Sequence, residues 1–238
     1  MPPAAPHEMV RSVQIVLVSS PGTGEAPHWS HELAGDFARL AVARGATVRW
    51  MPALYPGQPV PPGAAGIQVL AHQERSKLPW SKVASSQLDA PLESAVTACL
   101  REEPLSVVVH IGLGAQGSPN VLWLSDRLGS RTFACVRGIE LVCHRGDLLD
   151  RDKRICQDWS DAERCRWCCS TSWFGRPASN DLRNRVDLFI AGMQACASIS
   201  VPDEGDVAYL RELGIARKQI VVGATAVDLV DRVFAAPD

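Results

Sequence analysis

Residues 13–51 read VQIVLVSSPGTGEAPHWSHELAGDFARLAVARGATVRWM, and this stretch decides the fold class. The run VQIVLVS (13–19) is apolar almost throughout, as a strand buried on both faces of a parallel sheet must be. Pro21 and Gly22 close it. Between 31 and 44, Leu33, Phe37, Leu40 and Ala41 recur at helical spacing, with Ser30 as N-cap candidate and Gly45 as stop. TVRWM (47–51) then returns to a strand pattern. Strand, glycine-bearing turn, helix and strand make a βαβ unit, whose crossover keeps the strands parallel.

Working outward, the alternation continues. Residues 52–66 are rich in Pro and Gly and read as a loop; IQVLA (67–71) reads as a short strand, and 72–87 carry no clear element. Leu92, Val96, Cys99 and Leu100 mark a helix over 92–102. LSVVVHI (105–111) is a strand. Its loop GLGAQGS leads to a helix over 119–128, capped by Ser118 and ended by Gly129. TFACV (132–136) is the next strand. Leu182, Val186, Phe189, Ile190 and Met193 line a long helix over 180–197, followed by a strand (198–201), a helix (203–213) and the strand QIVVG (219–223). The expected fold is α/β: a Rossmann-like, doubly wound, mostly parallel sheet over residues 1–223. Residues 224–238 read as a hinge or linker, and a Cys-rich loop insertion spans about 137–179.

Composition narrows the partners. The 238 residues are 46% hydrophobic and 21% charged, with a formal net charge of −2. That leaves ample core material and no basic excess, which disfavours nucleic acid and anionic membranes. The opening MPPAAPHEMVRS lacks a charged flank with a long apolar run, and no stretch is long enough for a transmembrane segment. A soluble cytoplasmic protein is expected, in which the eight cysteines are reduced.

Ligands of doubly wound sheets bind outside the carboxyl ends of the strands, near the topological switch point. Two glycine loops fall there. Gly22-Thr23-Gly24 would let backbone approach an anionic or sugar ligand, or is a turn chosen for packing. Gly112-Leu-Gly114-Ala-Gln-Gly117 matches a dinucleotide pattern in its strand–loop–helix context, although Glu140 is the first acid after the following strand. His110, just before that loop, is a candidate acid, base or hydrogen-bond donor aimed at the cleft, or a packed histidine. Arg137 is placed to pair with a phosphate and Glu140 with a sugar hydroxyl; their alternative is a surface ion pair. His28 and Trp29 offer a polar group beside an aromatic face of the kind sugars pack on, and Trp29 equally suits a staple for its own helix.

Cys143, Cys156, Cys165 and Cys168 are separated by twelve, eight and two residues in a charge-rich segment with little apolar sequence. Four thiolates would close the tetrahedral shell of a structural zinc, with free thiols or a conditional disulfide as alternatives. Cys99, Cys135 and Cys196 occupy apolar periodic positions and read as core.

The order of these pieces resembles the N-terminal domain of GT-B glycosyltransferases of family 4. The likeness is carried by the first strand and glycine loop, VVVHIG, CVRGIELVCHRGDL, SISVP and RELGI. CHRGDLLDRDKRIC and CRWC are similar to a cysteine-bearing segment in one group of these enzymes. QIVVGATAVDLVDRVF is similar to the run into their interdomain hinge, with Thr225-Ala226-Val227-Asp228 where Asn-Gly-Val-Asp is usual. The resemblance implies an acceptor-binding half with a cleft lined by Gly22, Gly24 and His110. It implies a nucleotide sugar as donor, a carbohydrate or glycosylated acceptor, and a separate donor-binding domain or subunit. One departure stands out: Arg137-Gly138 occupies the place where His-Asp is frequent. The alternatives are a non-catalytic sugar- or partner-binding module and an NAD(P)-dependent oxidoreductase.

Overall fold

The computed structural model describes residues 12–20, 29–54, 59–70, 72–73, 90–103, 106–112, 118–143, 148–150, 152–169 and 179–235. The strands are β1 (Gln14–Ser19), β2 (Thr47–Leu54), β3 (Ile67–Val69), β4 (His72–Gln73), β5 (Val107–Ile111), β6 (Arg131–Cys135), β7 (Ser198–Val201) and β8 (Ile220–Val222). The helices are α1 (Trp29–Ala43), α2 (Ala90–Glu102), α3 (Asn120–Arg127), α4 (Gly138–Val142), α5 (Ala162–Cys169), α6 (Ser179–Ala195), α7 (Glu204–Glu212) and α8 (Ala226–Phe234).

The strands lie in the order β3-β2-β1-β5-β6-β7-β8, with β4 extending the β2 edge. Every pairing between these strands is parallel, including Leu17 opposite Trp50 on one side and Val109 on the other. The expected Rossmann-like doubly wound sheet is therefore present. The chain builds outward from β1 to β3 and then restarts at β5 on the opposite side of β1. The switch point thus lies between the carboxyl ends of β1 and β5, where an open α/β sheet leaves its crevice.

Alternation along the strands feeds two covered faces. Ile15, Leu17, Val109, Phe133 and Cys135 pack with Phe37 and Ala41 of α1. Val16, Val18 and Val108 turn the other way, onto Leu92 and Val96 of α2 and Val121 of α3. At the far end, Ala134, Val136 and Ile199 meet Leu122, Phe189 and Met193. Cys99, Cys135 and Cys196 are buried in these layers, as their periodic positions require.

Four local expectations are corrected. The stretch expected to leave as a linker forms α8, whose Leu229, Val230 and Val233 are buried with the α1 face of the core. Thr225 caps it, and Arg44, just after α1, pairs with Asp231 at 2.5 Å. Ser30 does not cap α1: the helix begins at Trp29, and the Ser30 hydroxyl donates to the Ser20 carbonyl at 2.6 Å. Ser118 does not cap α3 either; its hydroxyl donates to the Glu93 carboxylate on α2 at 2.8 Å. Finally, the cysteine insertion is not all loop, since α4 and α5 lie within it.

Candidate functional site

Three strand ends meet the first turn of α1 at the carboxyl edge of the sheet. Ser20, after β1, donates its N–H to the Ile111 carbonyl at 3.2 Å and accepts from Ser30. Gly112, after β5, has φ +69° and donates its N–H to the Cys135 carbonyl at 2.8 Å. A Cβ on Gly112 would lie 2.7 Å from the Ser30 Cβ and 3.2 Å from its Oγ. Only glycine fits both that backbone and that approach. The switch-point crevice is thus closed to within one methyl group at its base.

Beside it, the exposed Arg137 after β6 lies over the Trp29 ring, 5.2 Å from its centroid. That stack joins two sequence-predicted residues into one aromatic and cationic surface. Ser30 follows Trp29 in the chain, and Gly112 packs against Ser30. Gly22, Thr23, Gly24, His28 and Gly114 lie outside the described residues.

Glu140 is not turned outward. It is 6% exposed, and its carboxylate accepts the Arg137 N–H at 3.4 Å, capping α4 from its third position. His110 is not open to the cleft either. Its ring is 0% exposed and shares the strand face of Val108, packed under α2 and α3. Neither ring nitrogen has a hydrogen-bond partner of normal geometry among the described residues, although the Gly112 backbone is adjacent. Burial pushes its pKa down to about 4, the Gly112 backbone opposing only weakly. At neutral pH it is an uncharged imidazole.

The Arg137-Gly138 departure has a packing reason. A Cβ on Gly138 would stand 2.9 Å from the Asp206 carbonyl oxygen and 2.9 Å from the Tyr209 Cβ, so α7 leaves no room for a side chain. The Gly138 N–H instead donates to the Asp206 carboxylate at 2.6 Å. Burial raises the Asp206 pKa, and the Gly138 N–H partly offsets this.

Two residues escaped the sequence reading. His31 lies on α1 against the Ser19 and Ala53 backbone at the ends of β1 and β2; burial lowers its pKa, and Nε2 is unpartnered among the described residues. Its signal is a histidine on the first turn of the helix behind a glycine loop. Arg185 is fully buried on the core stripe of α6, its guanidinium 4.4 Å from the Phe189 ring centroid. Its signal is an arginine at helical spacing between Leu182 and Phe189.

The four cysteines come together in space, lining one cavity with Leu148, Asp150, Trp159 and Arg164. None forms a disulfide. Among the described residues, no three potential ligands stand in ligating geometry around one point.

Fold and edge together define a Rossmann-like α/β domain with its candidate site at the carboxyl end of the sheet. No protein-family model matches the sequence, and no curated protein matches it. Among solved structures, the chain is similar to UGT71G1 from Medicago truncatula complexed with UDP-glucose, at 12% identity over 89% of this chain and 50% of that one, TM-score 0.48. It is similar to a UGT transferase from Siraitia grosvenorii in complex with UDP, at 17% identity over 87% and 50%, TM-score 0.47. Os79 from O. sativa in complex with UDP gives 14% identity over 84% and 50%, TM-score 0.44. The chain spans about half the length of these structures. Among the described residues, no helix is long and apolar enough to cross a membrane.

Proposed function

We propose that the chain is the acceptor-binding half of a GT-B glycosyltransferase similar to family 4, acting with a nucleotide sugar held by a donor-binding domain or subunit. The observation that carries this is the convergence of Trp29, Gly112 and Arg137 at the switch point of a doubly wound sheet. Trp29, with Arg137 over its ring, supplies the aromatic part of the acceptor surface, and Gly112 lets Ser30 and the β5 end pack closely at its base. Arg137 supplies positive charge toward a leaving diphosphate, the group whose charge most needs stabilising in glycosyl transfer. His110, neutral and enclosed, acts in this reading by shaping the floor of the crevice. A structural zinc on Cys143, Cys156, Cys165 and Cys168 completes the proposal, holding the insertion beside the cleft. In this reading α8 is part of the acceptor half, and the connection to the donor half follows it.

A second reading, a non-catalytic sugar- or partner-binding module, draws on two observations. Glu140 is spent as a helix cap and His110 is closed off, so neither is presented to a substrate.

The test is a titration of the isotopically labelled chain with a panel of oligosaccharides, followed by amide chemical shifts. Saturable changes at Ser20, Trp29, Gly112 and Arg137 are expected. Shifts confined elsewhere, or none with any sugar, would remove the site.

A further inference from the structure

The cysteine insertion contains more than a loop with four thiols. Its backbone is tied into a compact knuckle. Leu149 bridges Ile155, the Cys156 N–H donates to the Leu148 carbonyl at 2.8 Å, and the buried Asp150 carboxylate accepts the N–H groups of Asp152 (2.8 Å) and Arg154 (2.9 Å). Leu148 and Lys153 hold φ of 54° and 60°, a conformation that costs energy in non-glycine residues and needs surrounding structure to hold it.

The thiols face one another inside this frame. The Leu148 N–H donates to the Cys143 sulfur at 3.3 Å. The Cys165 and Cys168 thiols donate to the carbonyls of Trp159 and Leu149, each at 3.6 Å, bonds that binding a metal would exchange for metal–sulfur bonds. The cavity the four share is about 20 Å³, room for a single ion or water and too small for an organic ligand. Arg164 and Asp150 both line it, and the Arg164 guanidinium pairs with Asp150 at 3.8 Å and with Asp158 at 3.2 Å. Among the described residues no three ligands surround one point, so a metal centre here requires the sulfurs to close in on the ion as it binds.

A second, larger pocket of about 190 Å³ lies on the other side of the same wall, and Val142, Trp159 and Cys165 line both. Its opposite side is Leu182, Val186 and Asp187 of α6. Trp159 is held there edge-on to Tyr209 of α7, with centroids 6.0 Å apart. Whatever fixes Cys165 therefore fixes the wall of this pocket.

We infer that Cys143, Cys156, Cys165 and Cys168 form a closed four-thiolate zinc centre whose occupancy holds Trp159 and α5 in place as the wall of the pocket against α6. This deepens the structural-zinc part of the proposed function and is independent of sugar transfer. Binding converts thiols to thiolates and releases their protons to solvent, so affinity falls as pH falls. The ion has no open position, so it stabilises the insertion without entering chemistry at the sheet edge.

The experiment uses the full chain purified without chelator. Metal analysis should find about one zinc per chain, and cobalt titrated into stripped protein should give the thiolate-to-metal absorption of a tetrahedral sulfur site. Stripping zinc should raise hydrogen exchange in residues 152–169 and 182–190 by about 10-fold or more, while α1 and β1 keep their protection. Replacing Cys165→Ser and Cys168→Ser together should abolish the cobalt spectrum, and Cys99→Ser should leave it intact. Metal-free protein with four freely titrating thiols and no cobalt spectrum overturns the centre. Zinc that can be removed without changing exchange overturns its role as a wall. Neither result bears on sugar binding, which the oligosaccharide titration reads separately.

Discussion

Replacing Gly112 with alanine tests the close packing of the crevice base. Two costs add. The residue sits at φ +69°, where an L side chain costs about 1–2 kcal/mol. The new methyl would also lie 2.7 Å from the Ser30 Cβ, well inside van der Waals contact, and 3.4 Å from the Ser20 carbonyl oxygen. Relieving that overlap requires α1 to move or the Ser30–Ser20 bond to break, at a typical overpacking cost of about 1–3 kcal/mol. The expected total is about 2–5 kcal/mol. Gly129 isolates the first cost, because it has φ +79° and nothing within 4 Å of its Cβ position. Gly129→Ala should therefore cost only about 1–2 kcal/mol. The assay is urea unfolding of both variants and of Gly112→Ala combined with Ser30→Gly, which removes the opposing carbon. The double variant should recover part of the loss, as contacting residues do in a mutant cycle. Equal destabilisation by Gly112→Ala and Gly129→Ala would refute the close approach.

The remaining predictions are independent of that site's packing. His110 has a folded pKa lowered from 6.5 to about 4, so below neutrality the unfolded chain binds a proton that the folded chain refuses. Its stabilising contribution is present above pH 6.5 and is lost as pH falls through the window towards 4. That is about 3 kcal/mol at 1.36 kcal/mol per unit, and a His110 ring signal titrating near 6.5 would contradict it. Leu229→Ala should cost about 2–4 kcal/mol by denaturant unfolding, because α8 is part of the core and not a free tail. A loss below about 0.5 kcal/mol, typical of a surface site, would return residues 226–234 to the status of a linker.

The sheet was legible because its strands are short apolar runs between turn residues, and both faces of a parallel sheet are covered. Residues 13–19 and 105–111 could hardly be anything else. α8 was misread although Ala226, Leu229, Val230 and Val233 recur at helical spacing. Its partner, α1, lies near the other end of the chain, and nothing local announces that contact. α5 was missed for the opposite reason: AERCRWCC interleaves three charged residues with three cysteines and shows no apolar stripe.

At the candidate site, Trp29, Gly112 and Arg137 lie at the carboxyl edge of the sheet, as the sequence implies, because the carboxyl ends of parallel strands must lie together. Direction was misjudged. His110 alternates with Val109 and so faces α2 and α3, where both sheet faces are already covered. Glu140 stands three residues after Arg137, the spacing of a carboxylate that reaches back to a helix start, yet Arg137 is not a residue that usually marks one. Gly138 could not be explained without α7, which reaches it from far along the chain.

The central claim is that this chain presents a sugar acceptor to a donor held elsewhere. Its most direct test is transfer of labelled sugar from UDP-glucose and related donors to an oligosaccharide acceptor. The chain is assayed alone, joined to a donor-binding half, and as an Arg137→Ala variant of the joined protein. The account predicts transfer only when both halves are present, reduced about 10- to 100-fold by Arg137→Ala, in line with loss of one charge-stabilising group. No transfer by the joined protein, or transfer indifferent to Arg137, would contradict it.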